Sequence, residues 1–141
     1  MKLQTQRFFF VDVCVTDLKS PNNVWMTFQV LDVVEVMLLN TSEDREQGFQ
    51  YVTPFDAQMP LLFQWPNGGQ RFIHNSNVQF QVKAMPIGHK NIVEQEIKLK
   101  DGDPSVSVTR PCRFMLEIPE PLFDTVKIEA GDTILLLPNA I

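Results

Sequence analysis

The stretch RFIHNSNVQFQVKAM at residues 71–85 decides the fold class, because its second half alternates between apolar and polar side chains. The alternating residues are Val78, Gln79, Phe80, Gln81, Val82 and Lys83. A period of two places successive side chains on opposite faces of a β-strand. With the turn-forming Asn67-Gly68-Gly69 just upstream, the pattern predicts a hairpin with one buried and one polar face.

Further strand-like segments lie on both sides of this stretch, and turn-forming residues separate them. Upstream, apolar and β-branched residues flank the turn at Ser20-Pro21-Asn22-Asn23, and downstream the stops are Gly and Pro clusters. The predicted segments are 7–15, 24–36, 33–39, 92–97, 106–108, 114–118 and 133–137. Short strands separated by turns predict an all-β fold, a compact β-sandwich or barrel of short antiparallel strands.

One helical signal interrupts the strands, in TSEDREQG at residues 41–48. Thr41 can cap the helix, and acidic residues in its first turn complement the helix dipole. Gly48 can adopt the left-handed conformation that closes a helix. The sequence therefore predicts one short helix over about 41–48.

The chain of 141 residues is 44% hydrophobic and 21% charged, which is typical of one folded domain, residues 1–141. The net charge of −5 disfavours nucleic acid as a partner, because a phosphate-binding groove would oppose the overall field. No stretch reaches the roughly 20 apolar residues of a membrane span. The apolar run Phe8–Val11 ends at once at Asp12, unlike an export signal. We expect the protein in the cytoplasm or in a virion.

The cysteines and histidines are too few and too scattered for a disulfide framework or a metal centre. Cys14 and Cys112 are expected to be buried free thiols. His74 and His89 form no local pair at ligand spacing with each other or with the cysteines. We predict no metal site, no cofactor and no catalytic residue.

Several motifs follow one another in the order of a known family. They are TSEDREQGF at 41–49, LLF at 61–63, FIHNSNVQFQV at 72–82, FMLEI at 114–118 and GD at 131–132. The chain resembles the domain of unknown function 192 family over about residues 33–138. The resemblance implies a compact β-sandwich, to which residues 1–32 add an N-terminal hairpin.

This sequence departs from the family pattern at several positions. The family has Met where this chain has Gln50, Leu61 and His74, and it has a Leu-Asp pair where this chain has Phe80-Gln81. The family has no settled biochemical activity, so the resemblance implies no catalytic residues.

Neutral amides and aromatic rings supply the candidate contact residues. Amide side chains can meet a partner without the cost of desolvating a charge, and exposed aromatic rings are typical anchors of protein interfaces. The candidate interaction residues are Phe8, Phe9, Phe10, Trp25, Trp65, His74, Gln79 and Gln81.

Three functions are compatible with these features. The first is a non-enzymatic structural or accessory subunit that contacts proteins of a larger assembly, such as a capsid-decorating or cement protein of a phage or other virion. Its partner would be a capsid or other virion protein, or a second copy of the chain. The second is a module that binds carbohydrate or another neutral small ligand, with Trp25 or Trp65 as a stacking platform. The third is a residual enzyme around His74, Asn75 and Asn77.

Overall fold

The structure, a computed structural model, describes the backbone of residues 4–17 and 24–136 and the side chains of residues 34–88 and 90–134. The strands are β1 (Gln4–Asp17), β2 (Val24–Leu39), β3 (Leu61–Gly69), β4 (Phe72–Ile73), β5 (Val82–Ile87), β6 (Ile97–Leu99), β7 (Ser107–Val108), β8 (Cys112–Pro119) and β9 (Thr133–Leu136). Helix α1 is Ser42–Gln47, and two 3-10 turns are His89–Asn91 and Glu120–Leu122. The prediction of an all-β fold with one short helix is confirmed.

Helix α1 forms for the reasons that the sequence suggests. The Thr41 side-chain oxygen accepts a hydrogen bond from the Asp44 amide at 3.1 Å, which satisfies one of the free donors of the first turn. Gly48 ends the helix with φ of 48°, a conformation that glycine adopts without a Cβ clash. In the part of the chain that the structure describes, no helix is long and apolar enough to cross a membrane.

Seven strands form one sheet in the order β6-β5-β8-β3-β2-β1-β9, and β4 and β7 form a separate pair. The named strands do not close a barrel, because β6 and β9 end the sheet. The prediction of antiparallel strands fails at one pair, since β2 runs parallel to β3 with Met37 opposite Leu61. A parallel return needs a crossover of about a dozen residues or more, and residues 40–60, which include α1, supply it.

Strands β1 and β2 form a long antiparallel hairpin, with a register shift between Phe10 and Val11. The segments 24–36 and 33–39, which the sequence pattern separates, form one continuous strand here. The described part of the predicted hairpin of residues 1–32 therefore continues into the main sheet, because β2 runs from Val24 to Leu39. On its other side, β1 pairs with β9.

The alternating stretch at residues 78–83 has the predicted burial but different backbone pairing. Val78 and Phe80 are buried, while Gln79 and Gln81 are exposed. Of this alternating set, only Val82 and Lys83 lie in a strand, because β5 begins at Val82 and the preceding backbone is a loop. The Val78 amide donates to Asn75 within that loop, and such local bonds replace a strand ladder.

The two short strands that follow are also paired differently from the prediction. The sequence pattern at 92–97 and 106–108 predicts a strand pair, yet β6 pairs with β5 and β7 pairs with β4. Alternation reports which side of a strand is buried, and it carries no information about the neighbouring strand.

The central strands bury side chains on both faces of the sheet. We call one side the closed face: Val34, Val36, Leu62, Met85, Ile87, Val93, Leu116, Ile118, Val126, Ile128 and Ile134. We call the other side the cavity face: Leu39, Phe49, Ala57, Leu61, Phe63, Ile73, Val78, Phe80, Val82, Ala84, Leu99 and Met115. Strand β8 is buried from Met115 to Pro119, as its nearly continuous apolar run indicates.

Candidate functional site

The candidate site is a cavity of about 480 Å³ on the cavity face, which we call the Glu117 cavity. Its walls come from α1 and the turn after it, from β3, from the segment 72–78 and from β8. These four segments coincide with four of the motifs that carry the family resemblance. Residues far apart in the chain therefore converge on one place.

Glu117 lies on β8 among the residues that line this cavity. On the neighbouring strands it lies opposite Leu61 of β3 and Ala84 of β5. The residues on either side of it, Leu116 and Ile118, belong to the closed face. The strand period of two thus places Glu117 on the side of the sheet that holds the cavity.

The carboxyl group of Glu117 is buried without a compensating charge. The residue is 8% exposed, and burial raises the pKa of Glu117 from 4.5 to about 8. Among the described side chains, the ion pair that forms is Lys83 with Glu96 at 3.5 Å, and none of the side-chain hydrogen bonds involves the Glu117 carboxyl. Because desolvation disfavours the charged form, this carboxyl is mainly protonated at neutral pH.

Arg45 lines the same cavity from helix α1. Its Nη1 donates to the Gln64 carbonyl at 2.8 Å, and its Nη2 donates to Ser42 Oγ at 3.3 Å. These bonds fix the guanidinium group and leave its charge unpaired within the described part of the chain. The cavity wall therefore holds one cationic group and one protonated acid that do not pair with each other.

Trp65 forms an aromatic part of the wall and already has several partners. Its ring stacks on Phe63 with centroids 5.8 Å apart. The guanidinium carbon of Arg71 lies 4.3 Å from the centre of the ring, and that of Arg45 lies 5.8 Å from it. Such cation–π contacts stabilise the position of the indole ring.

The segment 72–78 is held in place by Asn75, which is buried. Its side-chain nitrogen donates to the Phe80 and Lys100 carbonyls, both at 2.9 Å. One side chain thus joins a backbone acceptor of the loop before β5 to one just after β6, and so satisfies two carbonyls. The amide of Asn75 therefore has a structural role.

The rim of the cavity is polar. Asn77, with φ of 59°, donates from its side chain to Gln50 Oε1 at 3.1 Å, and its carbonyl accepts from the Tyr51 amide at 2.9 Å. His74 is exposed, and its Nδ1 accepts from the Ser76 amide at 3.2 Å. In the group predicted as a residual enzyme, His74, Asn75 and Asn77 each use one side-chain nitrogen in these local bonds.

The structure brings together only part of the predicted contact set. Trp65 and His74 both line the Glu117 cavity. Gln79 and Gln81 are exposed and do not line the cavity. The backbone N–H of Gln81 donates to Glu120 Oε1. The backbones of Phe8, Phe9 and Phe10 lie in β1 and that of Trp25 lies in β2, while their side chains lie outside the described residues.

Sequence reasoning missed Glu117 as a site residue. The available signal was one charged residue inside the apolar strand FMLEI, since Glu is rarely fully buried unless it is paired. For Cys112 the prediction agrees with the structure, because it is buried and free. Among the described residues, no group of three or more His, Cys, Asp and Glu side chains could hold a metal ion.

A second cavity of about 350 Å³ lies on the other side of α1. Its lining is mainly apolar and includes Leu39, Phe49, Val52 and Leu61. Asp44 also lines it, and Asp44 Oδ1 is buried without a hydrogen-bond partner. This second cavity holds fewer polar groups than the Glu117 cavity.

Comparison with known proteins places these features in a family. The model of the family DUF192, described as an uncharacterized ACR, matches residues 24–136. This match confirms the resemblance. It begins at residue 24, whereas the motifs alone predicted a start at about residue 33. No curated protein matches the chain.

Two solved structures are similar to this fold. A protein of Sinorhizobium meliloti 1021, described as a candidate transcription regulator, is 12% identical with a TM-score of 0.73 over 96% of each chain. A protein of unknown function from Novosphingobium aromaticivorans DSM 12444 is 18% identical with a TM-score of 0.64, over 86% of this chain and 81% of the other. At these identities the similarity shows the shared fold alone.

Proposed function

The chain belongs to the DUF192 family of uncharacterised proteins, and on that premise we propose that it is a non-enzymatic module that binds a neutral small ligand in the Glu117 cavity. One observation carries the proposal: four distant motif segments converge on a cavity that Glu117 also lines, and burial raises the pKa of this carboxyl. Side chains with strongly shifted pKa values in a cleft are common at functional sites.

The size and lining of the cavity support a small ligand. Its volume of about 480 Å³ falls within the range of roughly 300–1,000 Å³ that is usual for small-molecule sites. Aromatic walls at Phe63 and Trp65 offer apolar contact, and polar groups at Gln50 and His74 offer hydrogen bonds near the rim. This combination of apolar walls and few polar groups is typical of binding pockets.

Tryptophan fluorescence tests this proposal. The variant Trp25→Phe leaves Trp65 as the single indole of the chain. Titration with a panel of mono- and disaccharides and free amino acids should change the emission of Trp65 for at least one compound, because Trp65 lines the cavity. A flat response across the panel from a cooperatively folded protein would overturn the proposal.

A matched pair of substitutions localises any binding. Gln50 lines the cavity and Gln81 lies outside it. Gln50→Ala should weaken binding, while Gln81→Ala should leave the affinity unchanged. Equal effects of the two substitutions would place the ligand elsewhere.

A second candidate function, a structural subunit of a larger assembly such as a virion, is favoured by an exposed apolar group on the small sheet. Phe72 is 70% exposed and lies opposite Val108, which is 46% exposed, while Val106 is 59% exposed. Exposed apolar side chains that lie together are typical of protein contacts. The partner would be a capsid or other virion protein, or a second copy of the chain.

Sedimentation of the native chain in a density gradient tests this second candidate. Association with large particles that the double variant Phe72→Ser, Val108→Thr abolishes would support the assembly role. Phe55→Ser is the control, since Phe55 is 86% exposed and lies outside the small sheet. Sedimentation of the native chain at the size of the free protein would exclude the assembly role.

A further inference from the structure

The second cavity combines apolar walls with a buried acceptor that no donor satisfies. Leu39, Phe49 and Leu61 are buried in its wall, and its volume of about 350 Å³ falls within the range of roughly 300–1,000 Å³ that is usual for small-molecule sites. Asp44 of α1 lines the same cavity, and its Oδ1 is buried without a hydrogen-bond partner. Such atoms are rare in folded proteins, and a donor bound in the cavity would satisfy this one.

Helix α1 positions the Asp44 carboxylate without using its Oδ1. Asp44 is the third residue of the helix, and its backbone N–H donates to Thr41 Oγ1 at 3.1 Å. In a complete capping box the acidic side chain would accept in return from the backbone N–H of the capping residue. That return bond does not form among the described residues. Because the χ2 torsion of aspartate is broad, a modest rotation turns Oδ1 towards a donor in the cavity.

The charge of the lining favours a cation. The ionisable residues that line the second cavity are Asp44 and Asp56, and no described Lys or Arg side chain lines it. Thr53 Oγ1 donates to Asp56 Oδ2 at 3.1 Å. The neighbouring cation, Arg45, donates instead to the Gln64 carbonyl and to Ser42 Oγ. Two acidic groups at one cavity attract a positive charge and repel an anion.

We propose that the second cavity binds an organic ammonium ion with an apolar body. The ammonium group donates to the Asp44 carboxylate, and the body packs against Leu39 and Phe49. A neutral apolar ligand would leave Oδ1 unsatisfied. A bare metal ion needs several oxygen ligands, and no group of three or more His, Cys, Asp and Glu side chains among the described residues could hold one.

This site is distinct from the one in the proposed function. The two cavities share residues 47–49 at the end of α1. Asp44 lines the second cavity, whereas Gln50 and Glu117 line the Glu117 cavity. The ligands also differ, since the proposed function concerns a neutral ligand.

An NMR titration of the ¹⁵N-labelled protein tests the inference with probes that share one alkyl chain. The probes are n-hexylamine, 1-hexanol and hexanoate, at pH 7 and physiological ionic strength, which screens contacts with exposed charges. Hexylamine is protonated at this pH, as lysine is. It should bind about tenfold more tightly than 1-hexanol or better, because it adds a charge-assisted hydrogen bond. Hexanoate should bind more weakly than 1-hexanol. The amide signals of Gly48, Phe49 and Val52 should shift, because these residues line the cavity.

Matched variants assign the charge and the place. Asp44→Asn should lower the affinity for hexylamine to about that for 1-hexanol and leave the affinity for 1-hexanol unchanged. Glu43→Gln is the control, because it removes an equal charge from the same helical turn at an exposed position outside the lining. It should leave the affinity for hexylamine unchanged, and so should Gln50→Ala. Val52→Phe adds volume at the wall and should weaken hexylamine and 1-hexanol alike.

Several outcomes would overturn the inference. Equal affinities for hexylamine and 1-hexanol would do so, and so would equal losses from Asp44→Asn and Glu43→Gln, which would indicate a general attraction to an acidic helix. Benzylamine provides a second apolar body, and failure of both amines to bind would also exclude the site. Circular dichroism checks the fold of each variant. If Asp44→Asn does not fold, the probe comparison on the native protein and on Val52→Phe decides. None of these outcomes bears on the Glu117 cavity, whose ligand is tested through Trp65 emission.

Discussion

The closed face and the cavity face are built by the same central strands but differ in what they bury. The described buried members of the closed face are all apolar. The cavity face adds Glu117 and borders two cavities of about 480 Å³ and 350 Å³, while a third of about 420 Å³ lies at one end of the closed face, beside Ile87 and Phe114. The comparison shows how one sheet can separate stability from binding, with each strand contributing alternate residues to each purpose.

Strand β8 shows the division within a few residues. Leu116 and Ile118 are fully buried on the closed face. Met115 and Glu117 lie on the other side and line the Glu117 cavity. Natural proteins commonly retain destabilising groups where a site requires them. Glu117 is such a group, because its carboxyl is buried at the wall of the cavity.

The largest expected effect is on the pH dependence of stability. The folded pKa of Glu117, about 8, lies above its ordinary value of 4.5. The folded state therefore holds a proton that the unfolded state releases, and the free energy of unfolding should fall by about 1 kcal/mol per pH unit between these values. This stability is fully present below pH 4.5 and is lost as the pH rises towards 8.

Urea unfolding across that pH range checks this expectation with Glu117→Leu as the comparison. The variant has no carboxyl at this position, so its free energy of unfolding should lack this slope. The difference in the free energy of unfolding between the variant and the native protein should be largest at pH 8 and above, in favour of the variant. Parallel stability curves for the two proteins would show that Glu117 is not buried in an unpaired state.

A smaller effect should distinguish neighbouring residues of β8 that face opposite ways. Leu116→Ala on the closed face should cost about 3–4 kcal/mol, because it leaves a closed void. Met115→Ala should cost about 2 kcal/mol, since this side chain borders a cavity that already exists. Chemical denaturation measures both, and equal losses would remove the distinction between the two faces.

The smallest of the three effects concerns the loop beside the cavity. Asn75→Ala removes the donor to two backbone carbonyls and should lower the free energy of unfolding by about 2 kcal/mol. The exposed Gln79→Ala in the same region should change it by less than about 0.5 kcal/mol. If thermal and urea unfolding show the same loss of unfolding free energy for Asn75→Ala and Gln79→Ala, Asn75 does not hold the loop.

Several parts of the fold were predictable because their signals are local. Thr41 and Gly48 delimit α1 through backbone groups within one helical turn. The alternation of Val78, Phe80 and Val82 predicted their burial, because burial follows from which side of the chain is apolar. The strand at 114–118 was predictable from its apolar run.

Other parts were not predictable because their causes are not local. Nothing in residues 24–39 indicates a parallel partner, since pairing depends on how the crossover at 40–60 folds. The loop that precedes Val82 shows the same limit, because its alternation is satisfied without a strand. Hydrophobic patterning alone also left 24–36 and 33–39 as separate segments, although they form one strand.

The candidate site was predicted only in fragments. Trp65 and His74 were chosen for their chemistry, and the structure places both at the Glu117 cavity. Gln79 and Gln81 were chosen by the same reasoning and lie elsewhere. Residue type alone therefore could not separate the members of the site from surface residues.

The sequence by itself determined the all-β class, the short helix, the buried side of most strands and the family, because each depends on residue type and short-range order. Only the tertiary structure decided that Arg45, Trp65, His74 and Glu117 line one cavity. Their arrangement depends on strand pairing between distant segments, which buries Leu116 and Ile118 on one face of β8 and leaves a cavity beside Met115 and Glu117 on the other. The physical reason is that burial, and with it the raised pKa of Glu117, is a property of the packed chain rather than of any one segment.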